Sequence, residues 1–207
     1  CKQVYGDISN LKDISYCVKE FKPDILINLA AYHYIPNCIK DPKRTIRINV
    51  NGTKNSLEAI YKYSPNTKFI LTSSAAVYKP SIKKHTEKSL IKPVDIYGES
   101  KKRAEDVVED YAKKFKIKYC IIRLFNVYGY GNNTPHLIPT IIDQIKNKKT
   151  ISLGNTQTKR DYIYVDSVIG AFIEVINKFN KNNNQVFNVG GGYAKSAIDI
   201  VNIIEGR

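Results

Sequence analysis

The sequence predicts an α/β fold: a doubly wound parallel sheet, with part of a smaller lobe in its C-terminal third. Three observations carry this. Short apolar runs of strand length alternate with long amphipathic helical patterns. The runs are apolar throughout, as strands covered on both faces are. Small or polar residues follow three of them, at the carboxyl ends where open parallel sheets bind ligands.

Taken in order, the first strand is Asp24–Leu29, followed by Ala30-Ala31. A helix over Asp41–Tyr63 opens with Asp41 as N-cap and Pro42 at N1, and sets Ile46, Val50, Leu57 and Ile60 on one face. The second strand, Lys68–Thr72, ends in Ser73-Ser74. A helix over Tyr97–Phe115 carries a stripe of Ala104, Val107, Val108 and Tyr111. The third strand, Tyr119–Phe125, ends in Asn126. Beyond it, Gly129, Gly131, Asn132, Asn133 and Pro135 mark a loop. A helix follows over Leu137–Lys146, then a strand Thr150–Leu153, a helix Val165–Asn177, a polar turn Lys178–Asn184, a strand Val186–Val189 and a helix Ala194–Ile204. The division expected is a sheet domain over 1–126, and a lobe over 127–207 interleaved with the end of that domain.

Composition bounds the function. The 207 residues are 43% hydrophobic and 25% charged, values that exclude disorder, collagen and coiled coil. The longest apolar run, Ile25–Ala31, is broken by Asn28 and falls far short of the ~18 residues a membrane helix needs. Four cysteines without CxxC spacing predict no metal site and no disulfide scaffold, but buried thiols in a reducing, cytoplasmic setting. The net charge of +14 raises a nucleic-acid reading. Yet 27 of the 33 basic residues are Lys, and they are scattered rather than clustered. They read as a solvated surface whose field still favours acidic ligands such as nucleotides. The opening on Cys1, without Met, reads as a fragment.

The spacing Tyr97-Gly98-Glu99-Ser100-Lys101 is the sharpest chemical signal. Residues i and i+4 share a helix face, so phenol and ammonium point together. A neighbouring cation favours phenolate and lowers a reference pKa of about 10 toward neutrality. Tyr97 is thus a candidate general base for a sugar hydroxyl. Of the 15 tyrosines, only Tyr97 has Lys at the fourth position on.

With Ser73-Ser74-Ala75-Ala76-Val77-Tyr78 and Arg123-Leu124-Phe125-Asn126-Val127-Tyr128-Gly129, that motif resembles the extended short-chain dehydrogenase/reductase family. It is most similar to the NAD-dependent nucleotide-sugar epimerase/dehydratase branch. Gly6-Asp7-Ile8, Asn28-Leu29-Ala30-Ala31, Asn49-Val50-Asn51-Gly52-Thr53, Arg160-Asp161-Tyr162-Ile163-Tyr164-Val165-Asp166 and Asn188-Val189-Gly190 follow in the family's order. The resemblance implies a Rossmann-like sheet and these roles. Tyr97 is the base, Lys101 holds the nicotinamide ribose, and Ser74 bonds the reacting hydroxyl. Asp7 and Ile8 flank the adenine. Leu29, Ala30, Ala31, His33, Asn49, Ser73 and Phe125 also line NAD. Asn126 and Arg160 bind the substrate diphosphate, and Leu137 and Ile138 wall its nucleotide. It also implies a homodimer through Asp41–Tyr63 and Tyr97–Phe115.

Two departures from the family pattern matter. Its glycine-rich phosphate turn is not among these residues, so the sheet is expected to be N-terminally truncated and this piece to bind NAD poorly and lack activity. Gly190-Gly191-Gly192 follows a late strand and reads as a turn of the lobe. Ala75 and Ala76 stand where the family's 4,6-dehydratases place acids, so dehydration lacks its proton carriers. This favours a UDP-sugar 4-epimerase. Alternatives are another oxidoreductase, decarboxylase or dehydratase of the branch, or a non-catalytic binding protein on the same fold.

Overall fold

The computed structural model describes residues 2–132, 134–147 and 150–206. Asn133, which the sequence places in a loop, lies outside them. The helices are α1 (Leu11–Phe21), α2 (Ile35–Lys40), α3 (Pro42–Ile46), α4 (Gly52–Tyr63), α5 (Ile96–Phe115), α6 (Leu137–Asn147), α7 (Val165–Asn177), α8 (Phe179–Asn182) and α9 (Ala197–Ile204). The strands are β1 (Ile25–Asn28), β2 (Lys68–Ser74), β3 (Tyr119–Leu124), β4 (Asn126–Tyr128), β5 (Arg160–Tyr164), β6 (Gln185–Val189) and β7 (Ala194–Lys195).

The chain forms two compact units. One runs to Leu124 and takes in Val175–Asn188; the other holds Phe125–Glu174 and the residues from Val189 on. The first unit is built on a sheet of order β1-β2-β3-β6, in which β1, β2 and β3 are parallel. Its core packs Val18, Leu57, Ile60, Phe69, Leu71, Ala104, Val108 and Ile121 between sheet and helices. β2 and β3 are continuous apolar runs because both their faces are covered. β1 is the outer strand among the described residues, so Ile27 in its apolar run is 36% exposed.

The expected helix over Asp41–Tyr63 is interrupted. α3 and α4 are joined by a wider π turn at Arg47–Asn51. The extra residue rotates the inward face, burying Thr45 and Asn49 and leaving Ile46 and Val50 half-buried. Downstream, Leu57 and Ile60 are buried as the helical spacing requires. α1 has its start written in the sequence: Asn10 caps the Lys12 amide, and Ile14 and Val18 face the core.

The second unit carries a sheet of order β4-β5-β7, with β4 and β5 parallel and β5 and β7 antiparallel. A small cluster of Ile141, Ile200 and Val201 ties α6 to α9. Two expectations fail here. The strand expected over Thr150–Leu153 does not form. The Gln144 side chain accepts from the Ser152 amide at 2.6 Å and donates to its carbonyl at 3.0 Å, doing what a neighbouring strand would do. The helix expected from Ala194 begins at Ala197. Ala194 and Lys195 pair with β5, and Ser196 forms a capping box with Asp199.

Candidate functional site

In the first unit the chemistry gathers where β2 ends against the start of α5. Ser74 closes β2 and caps a short 3-10 turn, its hydroxyl accepting from the Ala76 amide at 3.2 Å. Asp95 caps α5 by accepting from the Gly98 amide at 2.8 Å. The helix start lies so close to the turn that a Cβ on Gly98 would stand 2.3 Å from the Ala76 carbonyl oxygen. Glycine is therefore what lets Tyr97 reach β2. The Ser74 hydroxyl lies near enough to the Tyr97 phenol to favour its ionised form.

One turn on, Lys101 is buried and donates to the Thr72 carbonyl at 2.9 Å. Its ammonium stands 6.0 Å from the centre of the Tyr97 ring. Tyrosine and lysine thus share a helix face as their spacing predicts, with Ser74 beside them. The expected lowering of the phenol pKa is not what this structure shows. Burial pushes Tyr97 up to about 12, and the Ser74 hydroxyl pulls against it. Burial likewise lowers Lys101 to about 8. At neutral pH the pair is a neutral phenol beside an ammonium, because burial is the largest influence on each group.

Two residues expected to meet a cofactor spend their side chains within the fold. Ser73 is buried and donates to Glu105 at 2.6 Å. Asn49 is buried; its amide oxygen accepts from the Tyr32 amide at 2.7 Å, and its Nδ2 donates to the Tyr32 carbonyl and to Ser100. Ser100 in turn donates to the Tyr97 carbonyl at 2.7 Å. Asn49 therefore braces both the segment after β1 and the first turn of α5.

Leu29 and Ala30 are exposed after β1, Leu29 at 67%, and His33 is exposed beyond them. Leu29, Ala30 and Ile8 line one groove of about 560 Å³, shared with apolar residues of α1 and β1. That groove includes none of Ser74, Tyr97 and Lys101. Asp7 is exposed, its carboxylate held below the usual range by two hydrogen bonds from Ser9.

These residues fit a dinucleotide. The exposed Leu29-Ala30 stretch offers close approach, and the Lys101 ammonium uses one of its three donors on Thr72. Next to it the Thr72 hydroxyl is buried with no hydrogen-bond partner among the described residues.

In the second unit Asn126 and Arg160 stand on the neighbouring strands β4 and β5. The Asn126 amide donates to the Asp161 carbonyl at 2.8 Å, and Arg160 is exposed. Asp161 accepts from the Gly191 and Gly192 amides at 2.6 and 2.9 Å. Gly192 has φ +86°, and a Cβ on Gly191 would stand 2.3 Å from the Tyr162 carbonyl oxygen. Phe125 flanks Gly190. Leu137 and Ile138 pack against Ile141, Ile200 and Val201, so they serve the core of this unit.

The motifs in the sequence assign no role to Glu105, Arg123, Asp95 or Asp161. Asp95 had a local signal, an acid three residues before Gly98 at a helix start. Glu105 and Arg123 are partners across 18 residues and had none.

Comparison with known proteins agrees with the geometry. The chain is 30% identical over 207 residues to a putative UDP-glucose 4-epimerase of Methanocaldococcus jannaschii, covering 98% of this chain and 66% of that one. It is 30% identical over 208 residues to a dTDP-D-glucose 4,6-dehydratase of Dictyostelium discoideum, covering 94% of this chain and 47% of that one. Among solved structures it resembles a UDP-glucuronic acid 4-epimerase from Bacillus cereus in complex with UDP-glucuronic acid and NAD. The TM-score is 0.87 at 27% identity, over 98% of this chain and 65% of that one. The chain thus spans about half to two thirds of the length of such relatives. A model of the NAD dependent epimerase/dehydratase family matches residues 2–190, and the chain belongs to that family.

Proposed function

We propose that the protein is an NAD-dependent nucleotide-sugar epimerase, acting at C4 of a UDP-sugar. The observation that carries this is the gathering of Ser74, Tyr97 and the buried Lys101 at the end of β2, with Lys101 bonded to the Thr72 carbonyl and 6.0 Å from the centre of the Tyr97 ring. Family membership and the epimerases among its relatives support it.

Bound NAD supplies a hydride acceptor and donor. The chain's own residues handle the proton and the positions. Ser74 bonds the reacting hydroxyl and fixes it beside the phenol oxygen. Tyr97 takes that proton when the sugar is oxidised and returns it when the sugar is reduced. Lys101 would hold the cofactor ribose, while Leu29, Ala30 and Ala31 would lie along it and Asp7 and Ile8 beside its adenine. Asn126 and Arg160 would hold the substrate diphosphate, for which a guanidinium fork is chemically apt. Phe125 would stand near the nicotinamide. Ser73 and Asn49 would act from behind this surface, through the bonds described above.

The dehydratase relative favours a second reading, loss of water from the sugar. Against it, the residues directly after Ser74 are Ala75 and Ala76, and a methyl group moves no proton.

The test is to incubate the full-length protein with a panel of UDP-sugars and catalytic NAD. Epimer formation without net NADH is expected. Stoichiometric NADH turnover, a 4-keto-6-deoxy sugar, or no reaction with any UDP-sugar would overturn the proposal.

A further inference from the structure

Three side chains on one face of α5 grip three consecutive residues of β2. Tyr97 meets Ser74, Lys101 donates to the Thr72 carbonyl at 2.9 Å, and Glu105 accepts from the Ser73 hydroxyl at 2.6 Å. The residues recur every four positions, so they stand one above another along the helix. Glu105 is the only one of the three given no role in the function proposed above. It is 1% exposed, and Arg123 at 5% holds it with a two-pronged ion pair, Nε to Oε1 at 2.9 Å and Nη2 to Oε2 at 2.7 Å. Arg123 lies directly beside Ser73 in the sheet and also donates to the Tyr78 hydroxyl at 2.8 Å. Tyr78 in turn donates to Asn188 at 2.8 Å. A pair this deep is costly to desolvate, so its presence is weak ground for stability alone.

We propose that Glu105, fixed by Arg123, is a positioning residue. It anchors Ser73 so that Ser74 is presented to Tyr97, and it places a carboxylate one helical turn along α5 from the Lys101 ammonium. The inference rests on the reading of Ser74, Tyr97 and Lys101 as the reacting set.

The charges around Lys101 leave Glu105 this part. On its own helix stand Tyr97 and Glu105; α2 contributes the Cys38 thiol; β3 contributes Arg123 behind Glu105. Arg44 of α3 lies over the Tyr32 ring, Arg47 of the π turn faces Asp7, and Glu58 of α4 accepts from Tyr111. Asp95 caps the start of the helix, and the carboxyl end of β2 and the turn after it, Thr72 to Val77, carry no charged side chain. Burial drives Lys101 down to about 8, and Glu105 is the largest influence in the opposite direction.

The test is an NMR titration of Lys101 in the full-length protein with labelled lysine side chains, assigned with Lys101→Arg. In Glu105→Gln the Lys101 titration should fall by about one unit or more, and Glu105→Asp should restore most of the shift. An unchanged Lys101 titration in folded Glu105→Gln would overturn the proposal. Should Glu105→Gln not fold, Ser73→Ala decides, because it leaves the ion pair whole. Its kcat should fall about tenfold or more with KM held, while Lys101 titrates as in the parent. Parental kcat would overturn the proposal. The titration needs no substrate. A moved Lys101 in a protein with no epimerase activity would count against the proposed function alone.

Discussion

Replacing Gly98 by Ala tests whether the site depends on close approach of α5 to the turn after β2. The added Cβ would lie 2.3 Å from the Ala76 carbonyl oxygen, 3.0 Å from the Ala76 carbonyl carbon and 3.0 Å from Pro93 Cβ. Two of these three neighbours are backbone and cannot swing aside. Restoring ordinary contact, at roughly 3.4 Å, requires the helix start to move by about 1 Å. Overpacking of this kind costs about 1–3 kcal/mol. Alanine returns up to about 1 kcal/mol through helix propensity. The net loss of stability is therefore modest, on the order of 1–2 kcal/mol. Tyr97 precedes Gly98 and is carried with it, and a 1 Å misplacement of a reacting group costs on the order of 100-fold in rate. Chemical denaturation and turnover of a UDP-sugar, measured on the same Gly98→Ala protein, should give a small drop in stability and a large drop in kcat. Gly170→Ala on α7 is the control. Its Cβ would meet nothing within 4 Å, so it should gain about 0.5–1 kcal/mol and keep its rate. Gly98→Ala with parental kcat would show that Tyr97 is not held at β2 by this contact.

Lys101→Met should alter how stability changes with pH. The lysine titrates near 8 in the fold and near 10.5 unfolded, so between these values the unfolded chain binds more protons and stability rises with pH. Urea unfolding across that window should show the variant losing the rise, by up to about 3 kcal/mol relative to the parent. Asp161→Asn removes the charge that accepts two amides from Gly191 and Gly192; thermal denaturation should report a loss of about 1.5–3 kcal/mol. Leu71→Ala, at 1% exposure in the middle of β2, should cost about 2–5 kcal/mol by the same measurement.

Much of the first unit is legible in the sequence because its signals are local. β2 and β3 announce themselves as unbroken apolar runs between polar ends, and Tyr97 and Lys101 share a helix face by arithmetic alone. What is not legible depends on partners far along the chain. Nothing near Ser73 shows that its hydroxyl belongs to Glu105, and nothing near Asn49 shows that a π turn aims it at Tyr32 and Ser100. Thr150–Leu153 has strand composition, but the amide of Gln144 takes the place a paired strand would have held. The phenol pKa escaped for a related reason. Spacing reveals the ammonium beside Tyr97, whereas the burial that raises the phenol pKa follows from tertiary packing.

The most direct test of the account is the turnover number of Tyr97→Phe in the full-length protein. The substitution deletes one oxygen, the phenol hydroxyl beside Ser74, and leaves the ring in place. The account predicts kcat lower by roughly 10²–10⁴-fold with the fold retained. A folded Tyr97→Phe that turns over a UDP-sugar at the parental rate would contradict it.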